Sequence, residues 1–186
     1  MNILRSIALL VCSLIILSGS CKKNNVPPVN QLSLLPPPTQ TGANTFGCLV
    51  NGQAFLPGGP SSASPLQCNY IYTAGGYYFT ILTTNKDNNG LIKQIQIETD
   101  SLTIVEGQTF TLKEVVGGNA TAVYALAINN TLNTYLTTST ISGQLTITKL
   151  DQTHQIVSGT FYFNAVNTVG DIVKVTDGRF DMRYTR

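Results

Sequence analysis

The chain has 186 residues, of which 42% are hydrophobic and only 11% are charged, with 16 Gly, 8 Pro, 4 Cys and no Trp. This length is typical of one domain with enough apolar material for a hydrophobic core. The formal net charge is +2, and so few charges, of both signs, exclude a nucleic-acid-binding surface and a highly charged disordered chain.

Residues 1–20 are predicted to be a signal peptide. A basic residue, Arg5, precedes an apolar run from Ile7 to Leu17 that is too short to span a bilayer comfortably, and small residues follow it. The sequence Leu-Ser-Gly-Ser-Cys at 17–21 resembles a bacterial lipobox. This resemblance implies that Cys21 is the lipid-modified first residue of the mature protein, held in the membrane by its acyl chains. The alternative is an ordinary signal peptide with an incidental Cys21.

The residues after Cys21 predict an outer-membrane or cell-surface location. Lys22-Lys23 follow, without the Asp that in many Gram-negative bacteria favours retention in the inner membrane. From Lys22 to about Ala43 the composition of Asn, Gln, Ser, Thr and Pro is typical of an extended tether. We therefore expect a lipidated tether at 21–43 and a folded domain at 44–186, which carries eight Lys or Arg and nine Asp or Glu.

Two cysteines, Cys48 and Cys68, lie in the predicted domain. In an exported protein this even number favours one disulfide, and the alternative is two buried free thiols on neighbouring strands. Two Cys and the single histidine, His154, are too few ligands for a zinc site, so no metal or cofactor is expected.

The folded part is predicted to consist of strands. After residue 44, β-branched and aromatic residues recur in short runs between Gly, Asn and Asp, which indicates about ten to twelve strands. We expect an all-β antiparallel sandwich, with a curled, barrel-like sheet as the alternative. Asn51-Gly52 predicts a two-residue hairpin, and Glu106-Gly107 predicts another between flanking apolar residues at 102–104 and 110–112.

The C-terminal third has the most regular alternation. If the loop at 151–154 contains an odd number of residues, the apolar faces at 141–147 and 157–165 coincide, and a three-residue loop places Leu145 opposite Phe161 and Gly143 opposite Phe163.

A β-bulge is predicted at Asp177-Gly178. The apolar positions are odd before this dipeptide and even after it, which is the effect of one inserted residue. Beyond it, Arg179, Asp181 and Arg183 alternate on the opposite face and predict a solvated salt-bridge ladder, with a ligand-binding stripe as the alternative.

A tyrosine-rich hairpin is the candidate binding surface. Pairing Tyr72 with Tyr77 places Tyr70, Tyr72, Tyr77 and Phe79 on one face. Tyrosine gives a large, rigid, half-polar contact, so Tyr70, Tyr72, Tyr77 and Tyr78 are candidates for binding an envelope glycan or a protein partner. The alternative is that most of these rings belong to the core.

No catalytic set is visible, and we expect a non-catalytic module. A G-x-S-x-G motif is absent, and His154 lies in a predicted loop. The competing hypothesis is a glycan hydrolase that uses two of the carboxylates of Asp151, Asp171, Asp177 and Asp181, although aspartate is also an ordinary turn residue.

Three segments carry a resemblance to a known family. Residues 44–57 (NTFGCLVNGQAFLP) resemble the opening, and residues 158–163 (SGTFYF) and 176–181 (TDGRFD) the closing strands, of an uncharacterised family of small Gram-negative lipoproteins. The resemblance implies a lipid-anchored β-domain and brings no activity, catalytic residue or ligand.

The lipid assignment predicts that Cys21→Ser abolishes acylation, because the thioether is the attachment point of the lipid. Metabolic labelling with a fatty-acid probe measures this directly. Labelling that persists in the Cys21→Ser protein would show that the lipobox assignment is wrong.

Overall fold

The computed structural model describes residues 28–60 and 64–186, so the predicted signal peptide and Cys21 lie outside the described residues. Within these ranges the chain forms one short 3₁₀ helix, Gln31–Leu34, and eleven strands, which confirms the all-β prediction. No helix of the described part is long and apolar enough to cross a membrane. The strands are β1 (Thr45–Val50), β2 (Gln53–Phe55), β3 (Leu66–Thr73), β4 (Gly76–Lys86), β5 (Ile92–Thr99), β6 (Thr109–Lys113), β7 (Ala120–Ile128), β8 (Thr131–Leu136), β9 (Gly143–Asp151), β10 (Ile156–Val166) and β11 (Ile172–Arg183).

The strands form one mixed sheet in the order β2-β1-β11-β10-β9-β6-β7-β5-β4-β3, with β8 paired to β7 and touching β10. The sheet curls over its own core until its β3 edge meets the C-terminal residues. There the backbone N–H of Tyr70 donates to the carbonyl of Thr185 at 2.8 Å, and that of Thr185 donates to the carbonyl of Cys68 at 3.0 Å. A sandwich and a curled sheet both describe this architecture.

One predicted hairpin is confirmed and one is wrong. Val50 pairs with Gln53 across Asn51-Gly52, where both residues have positive φ, as a two-residue turn requires. The segment before Glu106, in contrast, forms no strand; the backbone N–H of Leu102 donates to the carbonyl of Tyr77. β6 pairs instead with β9 and, in parallel, with β7.

The predicted pairing of β9 with β10 is confirmed, but the loop length differs from the prediction. Leu145 pairs with Phe161 and Gly143 with Phe163. The loop between the two strands has four residues, 152–155, rather than an odd number, and the register shifts by one residue at Thr148. This irregularity restores the parity that the even loop would have broken.

The predicted bulge in β11 is also confirmed. Phe161 pairs with Gly178 and Phe163 with Val175, so β11 has three steps where β10 has two. The residue with positive φ is Asp177 (φ 55°), whereas Gly178 lacks a side chain for another reason: a Cβ there would lie 2.5 Å from the ring of Phe161.

The predicted salt-bridge ladder is wrong, because Asp181 is buried with 1% of its surface exposed. Neither Arg179 nor Arg183 forms a salt bridge with any described residue. The carboxylate instead accepts hydrogen bonds from the N-terminal segment and from β10. Its donors are Thr39 Oγ1 (2.6 Å), Thr41 N (2.9 Å) and Oγ1 (3.3 Å), Gly42 N (2.7 Å), Ala43 N (3.1 Å) and Ser158 Oγ (2.8 Å).

Much of the segment predicted to be a tether therefore belongs to the folded domain. The Gln31 side chain accepts a hydrogen bond from the backbone N–H of Ala54 at 3.0 Å, and Leu35 is buried. Pro36 passes so close to β1 that a Cβ on Gly47 would lie 2.6 Å from its Cδ. The boundary predicted at residue 44 moves to about residue 30, because a proline-rich composition does not reveal partners far along the chain.

Burial alone would raise the pKa of Asp181, but the hydrogen bonds from Thr39, Thr41, Gly42 and Ala43 outweigh it and hold the pKa well below its usual range. The carboxylate is therefore charged, and the charge is stabilised mainly by backbone N–H groups.

Asp181→Asn is expected to lower the free energy of unfolding by about 2–3 kcal/mol, because an amide NH₂ would face donors and the charge-assisted bonds would be lost. Asp177→Asn is the matched control, because Asp177 is exposed and asparagine accepts the positive φ of this residue as aspartate does. This change should alter the free energy of unfolding by less than about 0.5 kcal/mol. Urea unfolding of the full chain measures both.

The stability of the wild-type protein should also fall as the pH drops below about 4, the ordinary pKa of an aspartate. The unfolded chain then binds a proton that the folded Asp181 does not, so the stabilisation present above that pH is lost. Asp181→Asn should remove this part of the pH dependence. Equal slopes of stability between pH 5 and pH 3 in the two proteins would contradict a charged Asp181.

Candidate functional site

A pocket of about 310 Å³ lies at the end of the β3–β4 hairpin. The predicted register is confirmed, with Tyr72 opposite Tyr77 and Tyr70 opposite Phe79. Three of the four candidate tyrosines line the pocket, whereas Tyr78 does not. The lining residues are Tyr70, Ile71, Tyr72, Tyr77, Gln152, Tyr184 and Arg186.

The rings form a graded stack from core to solvent. Tyr70 is buried and stacks on Tyr77, with ring centroids 5.1 Å apart and an angle of 27° between the planes. Tyr77 in turn contacts Tyr72 at 4.9 Å, and 63% of Tyr72 is exposed. Tyr70 therefore belongs to the core, which the alternative interpretation expected of most of these rings. Through its contact with Tyr77 it holds the two exposed rings in place.

Two tyrosine hydroxyl groups of the pocket have distinctive surroundings. Burial raises the pKa of Tyr70, a hydrogen bond from the backbone N–H of Ile104 opposes this, and the nearby Tyr77 and Tyr184 raise it further. The hydroxyl of Tyr184 is buried and has no hydrogen-bond partner among the described residues. An unpaired buried hydroxyl is costly, so this side of the pocket can offer a hydrogen bond.

Arg186 supplies the charge at the rim. Its Nη2 donates to the carbonyl oxygen of Gln152, and the guanidinium forms no salt bridge with a described carboxylate. Within the described part of the chain, no aspartate or glutamate lines the pocket. The site is therefore aromatic, with one positive charge, and suits a ligand that has an apolar face and an anionic or acceptor group.

Gln152, Tyr184 and Arg186 were not predicted as site residues. They come from the β9–β10 loop and from the residues after β11, far from Tyr72 in the sequence. The one available signal was the parity change at Asp177-Gly178, which predicts that Tyr184 points inward.

A family model described as a domain of unknown function, DUF6252, matches residues 80–182, which are 103 of the 186 residues. The chain belongs to the DUF6252 family. Neither the curated proteins nor the solved structures contain a match to it. The DUF6252 match runs from β4 to β11 and leaves the tyrosines and Arg186 of the pocket outside its limits.

The disulfide predicted in this DUF6252 protein is not formed. Cys48 and Cys68 are both free and buried. They lie on β1 and β3, which are not paired in the sheet, because β11 lies beside β1 and β4 beside β3. Burial raises the pKa of both thiols, so neither is a reactive thiolate.

The four aspartates of the hydrolase alternative do not form one site. Asp151 accepts bonds from the backbone N–H groups of His154 and Thr153 and lies 2.8 Å from His154 Nδ1; His154 is chiefly responsible for lowering its pKa to about 2. Asp171 bonds with Asn167, and Asp181 is engaged by the N-terminal segment.

The remaining candidate, Asp177, lines a separate groove of about 450 Å³ beside Arg179. Among the described residues no three His, Cys, Asp or Glu side chains are grouped as metal ligands would be.

The free cysteines predict that the native domain does not react with Ellman's reagent, because both thiols are buried and protonated. In a chain carrying Cys12→Ser and Cys21→Ser, two thiols should react after unfolding in urea without reductant. No reaction in urea would show that Cys48 and Cys68 are bonded to each other.

Proposed function

We propose that this protein is a lipid-anchored, non-catalytic binding module of the cell envelope, held at the outer membrane or cell surface through Cys21. The resemblance of residues 17–21 to a lipobox supports the anchor, and the nearly neutral domain argues against binding that depends on electrostatic attraction alone.

The observation that carries the binding function is the tyrosine pocket. Tyr72, the most exposed ring of the stack, suits the apolar C–H face of a sugar ring, and it is supported by Tyr77, which stacks on the buried Tyr70. Arg186 at the rim suits a carboxylate on the same sugar, since a guanidinium binds carboxylates in a planar geometry. The ligand class that these groups favour is an acidic envelope glycan.

The aspartates support binding over hydrolysis. A glycoside hydrolase needs two carboxylates on opposite sides of one bond, and three of the four candidates are held by their own turns or by residues 39–43.

Tyr72→Ala should weaken the binding of an acidic envelope oligosaccharide about tenfold, which corresponds to ~1.4 kcal/mol. The reason is the loss of the most exposed ring of the stack. Isothermal titration of the full chain with acidic and neutral oligosaccharides measures the affinity. Tyr162→Ala is the matched control, because Tyr162 is a half-exposed tyrosine that lines the separate groove beside Arg179.

Two results would contradict the proposal. One is equal binding by the Tyr72→Ala protein and the wild type. The other is release of reducing ends from the glycan that stops on Asp177→Asn, which would favour the hydrolase alternative.

A further inference from the structure

A second concave surface lies where the N-terminal segment crosses the β1–β2 hairpin. It is an apolar groove of about 420 Å³, and none of the described residues that line it is charged. The apolar side chains that line it are Leu34, Pro36, Phe46, Leu56, Pro57, Pro65 and Leu66.

The apolar character extends beyond the groove itself. Leu34 and Leu56 are partly exposed at its edges, and Val29 and Leu32, in and beside the 3₁₀ helix, are exposed as well. Most of these side chains come from residues 29–34, a segment held to the sheet by the bond from Ala54 N–H to Gln31. An apolar groove with exposed leucines at its edges favours contact with a partner.

The length of chain between this surface and Cys21 limits what the partner can be. Seven residues lie between Cys21 and Val29, and the eight residue steps from one to the other span at most about 28 Å. The intervening sequence, Lys-Lys-Asn-Asn-Val-Pro-Pro at 22–28, contains one aliphatic side chain, Val26, besides its two prolines. An anchor at Cys21 therefore brings the surface close to the bilayer, with two lysines between them.

We propose that the apolar groove, with the exposed Leu34 and Leu56 at its edges, docks on the lipid bilayer, an inference that rests on the lipidation of Cys21 in the proposed function. The apolar side chains enter the boundary between headgroups and acyl chains, and Lys22-Lys23 meet anionic headgroups. Docking orients the domain: Leu66 at the groove and Tyr72 at the tyrosine pocket lie at opposite ends of β3, about 20 Å apart.

The natural absence of tryptophan allows a direct test. Leu34→Trp introduces a single indole at the groove, at a position exposed enough to accept it. The full chain is acylated in cells and reconstituted in vesicles with or without lipids brominated on their acyl chains. We expect brominated lipid to reduce indole emission about twofold or more, since a docked side chain lies roughly 5–10 Å into the interface.

Val169→Trp is the matched control, because Val169 is 78% exposed in the loop between β10 and β11, away from the groove. Its emission should not respond to brominated lipid. Leu56→Trp, on the other side of the groove, should behave like Leu34→Trp and guards against a local effect of one substitution.

The outcomes separate the two proposals. Absence of acyl label on the full chain overturns both the anchor and the docking. An acylated chain whose indoles at positions 34 and 56 are quenched no more than that at position 169 overturns the docking alone. A third outcome is that the indoles are shielded from solvent regardless of brominated lipid and the protein sediments as a dimer. This result also overturns the docking on the bilayer and assigns the surface to a second copy of the chain.

Discussion

The hydrogen bonds to the carboxylate of Asp181 are the interaction on which the arrangement of the N-terminal segment, the described residues before β1, depends. This buried carboxylate accepts hydrogen bonds from Thr39, Thr41, Gly42 and Ala43. It accepts a further hydrogen bond from Ser158 on β10. β11, which carries it, lies between β1 and β10. The same side chain therefore joins two strands of the sheet to a segment that has almost no regular structure of its own. A buried carboxylate is tolerable because fixed backbone dipoles replace the water that it has lost.

The position of residues 39–43 determines how the residues before them pack against β1. With residues 39–43 bound to Asp181, Leu35 is buried and Pro36 lies against β1, where Gly47 is small enough to let it pass. The apolar groove then forms between the segment and the β1–β2 hairpin. The tyrosine pocket, at the far end of β3, is built separately from a ring stack and from the residues after β11.

The parts of the fold that could be predicted from the sequence are those in which neighbouring residues decide the outcome. Alternation located the tyrosine face of the β3–β4 hairpin, Asn51-Gly52 located a turn, and a change of parity located the bulge at Asp177. These features follow from the period of two along a strand and from which residues accept positive φ.

The parts that failed depend on partners far away in the chain. Asp181 sits between two arginines in the sequence and was expected in solvent, because nothing local shows that residues 39–43 will supply its donors. The disulfide failed for the same reason, since a count of cysteines does not give the order of strands. Three residues of the pocket were missed because the sheet has to curl before Arg186 can approach Tyr72.

The two edges of the sheet have a further consequence for how the protein avoids aggregation. Unpaired strand edges are templates for the addition of another chain and so for aggregation. Here β2 has only three residues, and the outward N–H of Ala54 is occupied by the side chain of Gln31. At the other end, Thr185 occupies backbone groups of Cys68 and Tyr70 on β3. The segments before β1 and after β11 therefore cover the two edge strands of the sheet. Their removal would expose edges to which strands of other molecules can pair.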